Sequence, residues 1–400
     1  MSEAGRAGGA CDQGATILAD VAIIGAGLAG TSTAIVLAEA GYRVALIDAQ
    51  AVYPSEFRGE KLDLDHMAVL DRLGLGSVVR PLVTPMEKSR IYRYGRLVSK
   101  THLREYGFSY GSLINGLRAA LPPMATFVRG RVAGLTTGPD RQRVELTDGT
   151  VTEARLVVLA TGLGDAVRRH AGLRRIETSR GHSLSLGFNM ALPRPEFSFD
   201  TLTYYGFRPV DRMAYLTLFP IDGAMRGNLF VYRTAGDPWT RAFRQDPQPI
   251  LRELAPDIAE LCGDFRIAGS VDIRQIDLTI TEDPRRDGIV LIGDAFCTTC
   301  PAPGVGFRRV VTDVERLCSV HLPRWFETPG MGADKIARFY NDRVKRRVDG
   351  ASIASSFYAR GIVTGTGLLW DARRVRNAVV RQTLSRLAHS FQPDRQPGRS

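Results

Sequence analysis

Apolar and polar positions along this 400-residue chain fall into distinct textures. Near the start, the apolar run Asp20–Ile24 ends in glycine, Thr31–Ala40 has helical character, and Arg43–Ile47 is a second apolar run. Strand, helix and strand in such close succession predict a βαβ unit, whose strands run parallel with a right-handed crossover. Leu64–Leu73 reads as a helix stopped by Gly74, and Ser112–Leu121 as another stopped by Pro122 and Pro123. Phe127–Val132, Arg143–Thr147 and Val151–Leu159 read as strands, with Asp148-Gly149 marking a tight turn. From His182 to Arg233 the pattern changes. Ser183–Asn189, Thr201–Tyr205, Met213–Phe219 and Asn228–Tyr232 are β-branched or aromatic with Gly and Pro between them, which predicts an antiparallel sheet. Trp239–Leu261 reads as helix, Ser270–Thr281 as a long strand and Gly288–Ile292 as a buried strand, with helices beyond. The fold class expected is α/β: a Rossmann-like domain (20–178 and 282–350), an inserted antiparallel β-sheet substrate domain (179–281), a tail at 1–19 and basic C-terminal helices with a tail at 351–400.

Composition narrows the class. At 44% hydrophobic and 24% charged residues, the chain is neither disordered, collagenous nor a coiled coil. Five cysteines are an odd number for a disulfide framework and suit a reducing, cytoplasmic compartment. The first twenty residues lack the apolar core of a signal peptide, and no apolar run is long enough to span a membrane. The net charge of +11 is uneven: Arg338–Ser400 holds thirteen basic residues against four acidic ones. No nucleic-acid motif accompanies this excess, so no nucleic-acid partner is expected. Asp371–Phe391 reads as a helix with Val375, Val379, Leu384, Leu387 and Phe391 on one side and arginines on the other. Packing on the body or a second subunit accounts for it; peripheral contact with an anionic membrane is the alternative.

Two glycine-bearing turns carry the chemistry. Gly25-Ala26-Gly27-Leu28-Ala29-Gly30 follows the strand VAII and opens a helix. The first glycine permits a tight turn, the second lets backbone approach a pyrophosphate, and the third lets helix and strand pack closely. Asp48 ends the next strand, where a carboxylate can accept bonds from ribose hydroxyls. Much later, Gly293-Asp294 follows the strand IVLI, and Pro301-Ala-Pro-Gly304-Val305-Gly306 precedes a further helix. An acidic side chain at the carboxyl end of a parallel strand points into the crevice where ligands bind.

The pairing of IIGAGLAG with IGDAFCTTCPAPGVGFRRVVTDVERL resembles the flavoprotein monooxygenases of the p-hydroxybenzoate hydroxylase type, a superfamily that also holds geranylgeranyl reductases and flavin-dependent halogenases. The resemblance covers residues 19–175 and 285–350 and is weak across the middle sheet. It implies an FAD-binding domain in which Gly25, Ala26, Gly27 and Gly30 hold the pyrophosphate, Asp48 the adenosine ribose, and Arg58 and Glu60 further parts of FAD. Val132 would meet adenine through its backbone, Gly293 and Asp294 the ribityl chain, and Pro301, Gly304, Val305 and Gly306 the isoalloxazine. It implies reduction by NADH or NADPH, reaction with O2 to a flavin C4a-hydroperoxide, and hydroxylation or epoxidation of an aromatic or apolar small molecule. An oxygen-independent reductase of the geranylgeranyl type and a flavin-bound partner protein without turnover are the alternatives.

The chain departs from that family in places. ATGLGDAVRR carries Thr161 before Gly162 and Asp165 where a serine is usual, while keeping Arg168, which bears on the electron donor. Cys297 stands for a histidine, Arg308 for an asparagine and Tyr110 for an arginine. The paired-Trp motif and catalytic lysine of halogenases have no equivalent. Cys297-Thr-Thr-Cys300 before a helix offers a candidate redox pair beside the flavin, with two small turn-filling residues as the plainer reading. No second Cys or His pair stands at zinc-ligand spacing, so no metal is expected. Gly107-Phe-Ser109-Tyr-Gly111 matches the hydrolase GxSxG, but the preceding SKTHLREY is too polar for the buried strand such an elbow needs. The sequence names no catalytic acid or base.

Overall fold

The computed structural model describes residues 15–380, apart from 94, 103, 192–197, 207, 264, 378 and 379. Strands β1 (Val21–Ile24), β2 (Val44–Asp48), β3 (Ala125–Arg129), β4 (Leu156–Leu159) and β5 (Ile289–Leu291) form a parallel sheet in the spatial order β5-β4-β1-β2-β3. β1, β4 and β5 are buried along their whole lengths, and so they read as unbroken apolar runs. The pleat sends alternate residues to two different layers. Val21, Ile23, Leu46, Val158 and Val290 pack with helices α1 (Leu28–Glu39), α2 (Tyr110–Ala119) and α3 (Gly306–Arg316). Ala22, Ile24, Ala45, Val157 and Leu291 pack instead on a small sheet that contributes Val144 and Leu146. That sheet has the order Thr16–Leu18, Val151–Ala154, Gln142–Leu146, Val132–Thr136.

The stretch Val151–Leu159, expected as one strand, is therefore two strands in two sheets. It divides at Arg155, whose guanidinium lies 4.0 Å from the centre of the Phe326 ring and cannot follow its neighbours inward. The expected Trp239–Leu261 helix is three short ones, Pro238–Gln245, Pro247–Leu254 and Ile258–Cys262. Pro247 and Pro256 lack the N–H that a continuous helix would need.

The middle sheet has seven strands in the order Arg266–Thr281, Arg175–Ala191, Ala224–Val231, Met213–Ile221, Thr201–Tyr205, Ser89–Arg93, Arg96–Thr101. All pair antiparallel except Thr201–Tyr205 with Ser89–Arg93, which pair in parallel. The last two strands come from the segment that the sequence places with the Rossmann-like domain. One face of this sheet, with Leu186, Phe188, Leu216, Leu218 and Leu229, packs under Phe243, Leu251 and Ile258 of the three short helices. The opposite face carries Ser185, Thr217, Asn228, Tyr215 and Phe230 and walls a cavity. Helix α4 (Arg343–Thr364) crosses behind α3. No described helix is long and apolar enough to cross a membrane. Of the apolar side expected on Asp371–Phe391, only Val375 is described, and it is exposed; Val379, Leu384, Leu387 and Phe391 lie outside the described residues.

Candidate active site

Two cavities adjoin at the carboxyl ends of the parallel strands. The smaller, about 130 Å³, is lined by Gly25, Gly27, Asp48, Thr161 and Gly162, among others. The larger, about 460 Å³, lies between the loop Pro301–Gly306 and the seven-stranded sheet. Leu28, Arg58, Tyr110, Asp294 and Val310 line both. The two distant glycine turns thus line two cavities that share five residues.

At the smaller end, β1 turns sharply into α1. Gly25 has φ +101°, and a Cβ there would sit 2.5 Å from the Ala160 carbonyl oxygen. A Cβ on Gly30 would sit 1.8 Å from the Gly25 carbonyl oxygen, so strand and helix could not pack as they do. At Gly27 a Cβ would point into open space, meeting only the Tyr53 ring at 3.8 Å. α1 has no side-chain cap and no acidic residue in its first turn. Its positive end faces the cavity through Leu28 and Ala29, an arrangement that fits a pyrophosphate. Asp48, ending β2, accepts from the backbone N–H groups of Ala26 (2.7 Å) and Gln50 (2.9 Å).

Arg118 of α2, which sequence reasoning missed, completes this corner. Its Nε donates to the Ala26 carbonyl (2.8 Å) and its Nη1 to that of Gln50 (2.7 Å). Its Nη2 lies 3.4 Å from Asp48 and is buried without a hydrogen-bond partner. Only the tertiary fold brings this arginine to the turn. At the junction, Arg58 pairs with Glu56 (2.5 Å) and approaches Asp294 (3.8 Å). Burial pulls the Glu56 carboxyl up, but the bond and charge of Arg58, the Tyr53 hydroxyl and the Arg274 charge together outweigh it and hold Glu56 below its ordinary range.

Asp294 is held from behind. The fully buried Arg309 donates to its Oδ1 (2.9 Å) and to the Gly293 carbonyl (3.1 Å). The Gly293 N–H donates to Asp313 (2.9 Å), which pairs with Lys345 of α4 at 2.6 Å; Lys345 also meets Asp349 at 3.0 Å. This buried chain of charges fixes the Gly293-Asp294 turn. Pro301, Gly304 and Gly306 line the larger cavity, and the Tyr215 hydroxyl donates to the Ala302 carbonyl (2.9 Å), tying that loop to the sheet.

Other expected residues fall elsewhere. Ala26, Gly30 and Gly293 shape the turns through their backbone, and Val305 is the N-cap of α3. Val132 begins the strand Val132–Thr136, and it does not line either cavity. Glu60 faces the larger cavity, where Arg226 bonds it at 3.0 Å; burial nonetheless raises its carboxyl above the ordinary range. Cys297 and Cys300 are buried free thiols that line neither cavity. Burial pushes Cys297 up to about 11 and raises Cys300 as well, the opposite of what a reactive thiolate needs. Arg168 is buried against Asp165, and Arg175 donates to the Gly162 carbonyl at 3.1 Å, so this altered motif borders the smaller cavity.

Residues 18–320 match the family described as FAD binding domain. The chain belongs to that family. Its place is among the FAD-dependent monooxygenases of the p-hydroxybenzoate hydroxylase type, as its two glycine motifs imply. It is 23% identical over 356 residues to 6-hydroxynicotinate 3-monooxygenase of Bordetella bronchiseptica, covering 82% of this chain and 88% of that one. It is 25% identical to squalene monooxygenase of Rattus norvegicus, over 74% of this chain and 53% of the relative. Among solved structures, p-nitrophenol 4-monooxygenase PnpA from Pseudomonas putida shares the fold with a TM-score of 0.72 at 17% identity, over 93% of this chain and 94% of that one. The flavin-dependent brominase Bmp2 shares it at 0.67 and 13%, over 91% and 93%.

Proposed function

We propose that this flavoprotein inserts one oxygen atom of O2 into an aromatic or apolar small molecule, with NADH or NADPH as the electron source. The overall balance is substrate–H, O2, NAD(P)H and a proton going to substrate–OH, NAD(P)⁺ and water. FAD, when bound, supplies the hydride acceptor and the centre at which oxygen is activated. The observation that carries this reading is that the two cavities adjoin, with Arg58, Tyr110 and Asp294 in the walls of both. The smaller end suits the nucleotide half of FAD: the α1 N-terminus for the pyrophosphate, and Asp48 with Arg118 for the ribose side. Asp294, braced by Arg309, suits the ribityl chain, and the Pro301–Gly306 loop suits the flavin ring.

The larger end suits the substrate. Its walls include Tyr205, Tyr215, Phe219 and Phe230, which pack a flat apolar ring and keep water from the reacting atoms. The relatives act in their own names on hydroxylated aromatic acids and on squalene, which fits a wall of this kind. The test is coupled consumption of O2 and NADH or NADPH with label from ¹⁸O2 in the product. Turnover undiminished without oxygen would refute a monooxygenase and favour a reductase.

A further inference from the structure

The cavity face of the seven-stranded sheet is ordered in cross-strand rows. Phe230 and Tyr215 are paired partners, and Ser185 stands opposite Phe230 on the other side. The next row runs Gly187, Asn228, Thr217, Thr203, each pair in register across its ladder. Beyond it stand Arg226 and Phe219. An aromatic row thus borders the loop side, and a row of amide and hydroxyl groups lies next to it.

The polar row is unfinished. Thr217 Oγ1, Asn228 Oδ1 and Ser185 Oγ are buried and make no hydrogen bond, although their residues are 5%, 4% and 4% exposed. Buried polar groups in folded proteins are almost always paired, and three orphans on one cavity wall mark where a ligand's polar atoms go. The Asn228 amide lies beside the Glu60 carboxyl, with its Nδ2 on the Glu60 side and its Oδ1 left as the free acceptor. Thr217, directly opposite, offers an O–H.

Charge decides what belongs there. The cations beside Asn228 and Thr217 are committed, Arg226 to Glu60 and Asp272, both at 3.0 Å, and Lys61 to Glu105 at 2.9 Å; Arg274 stands one row away, opposite Ser185, and bonds the Phe57 carbonyl at 3.3 Å. A carboxylate placed on the row would face the Glu60 carboxyl and the Asn228 acceptor. We propose that Thr217 and Asn228 are specificity-determining residues that read an uncharged substituent with both a donor and an acceptor, such as a hydroxyl or primary carboxamide, on the substrate ring. This rests on the larger cavity being the substrate site. Asn228 accepts the substituent's hydrogen, Thr217 donates to its oxygen, and the aromatic row stacks the ring.

The test titrates FAD-loaded protein with phenol, benzamide, toluene and benzoate, read by the change in flavin absorbance and by thermal shift. Phenol and benzamide should bind about 10-fold more tightly than toluene, and Thr217→Val and Asn228→Leu should each weaken them about 5- to 100-fold. Toluene affinity, FAD content and unfolding midpoint should stay near those of the parent. Toluene equal to phenol overturns the proposal. So does benzoate binding best and ignoring both substitutions, which would give the polar end to Arg274, the cavity residue opposite Ser185. Thermal shift follows the same four probes without turnover, so failure of the oxygenation reading leaves this test independent.

Discussion

Replacing Lys345 with Met should expose how much the Gly293-Asp294 turn depends on charges buried behind it. Lys345 is 1% exposed, pairs with Asp313 at 2.6 Å and Asp349 at 3.0 Å, and lies 4.3 Å from the Phe296 ring centre. Met would keep most of the apolar packing and remove the charge. That leaves Asp313 and Asp349 with Arg309 as the remaining cation, and Arg309 is nearer to Asp294 (2.9 Å) than to Asp313 (3.9 Å). Breaking a buried ion pair by deleting one partner costs about 3–5 kcal/mol, because an uncompensated charge remains. Urea unfolding of the apoprotein at pH 7 should show a loss of that size. Burial already raises Asp349, and without Lys345 a carboxyl here would hold its proton in the fold at a pH where the unfolded chain has released it. The deficit should therefore shrink as pH falls through that raised value, and Asp349→Asn added to Lys345→Met should recover part of it. FAD affinity should fall too, since Asp313 holds the Gly293 N–H. A stability within about 1 kcal/mol of the parent, or a deficit unchanged by pH and by the second substitution, would refute the reasoning.

Gly30→Ala should weaken FAD binding by more than about 10-fold in equilibrium dialysis, because its Cβ would lie 1.8 Å from the Gly25 carbonyl oxygen; parental affinity would show that close packing is not what the third glycine provides. His182 is fully buried, its Nε2–H donating to the Ser356 carbonyl at 3.2 Å, and burial with the nearby Arg360 charge lowers it to about 4. The unfolded chain takes up this proton below about 6.5 and the fold does not, so stability should fall by up to about 3 kcal/mol between those values, and His182→Gln should lack that component. Identical pH slopes would contradict it. Cys297→Ser and Cys300→Ser should leave the flavin spectrum and turnover unchanged; loss of turnover in either would restore a redox role for the pair.

The two glycine turns could be read from the chain because each requirement is local. A strand, a tight glycine turn and a helix start lie within a few residues, and glycine is demanded by the Gly25 and Gly30 backbones themselves. Strands β1 and β5 were visible because burial on both faces leaves no polar residues to blur the run. Partnerships across distance left no such mark. Ser89–Arg93 looks like any short strand, and nothing local says that it joins Thr201–Tyr205 in parallel. Val151–Leu159 hid a change of sheet, which falls at the charged Arg155. Arg118 and the row Asn228–Thr217 were equally hidden. The first acts on a turn in a remote part of the chain, and the second emerges when strands stack in register.

A fluorescence titration of FAD against the purified apoprotein addresses the central claim most directly, which is that the Gly25–Gly30 and Gly293–Gly306 turns together hold one flavin. Saturation at one FAD per chain, with affinity reduced both by Gly30→Ala in the first turn and by Asp294→Ala in the second, is the result this account requires. Flavin that is never quenched, or that binds equally well when either turn is altered, would contradict it.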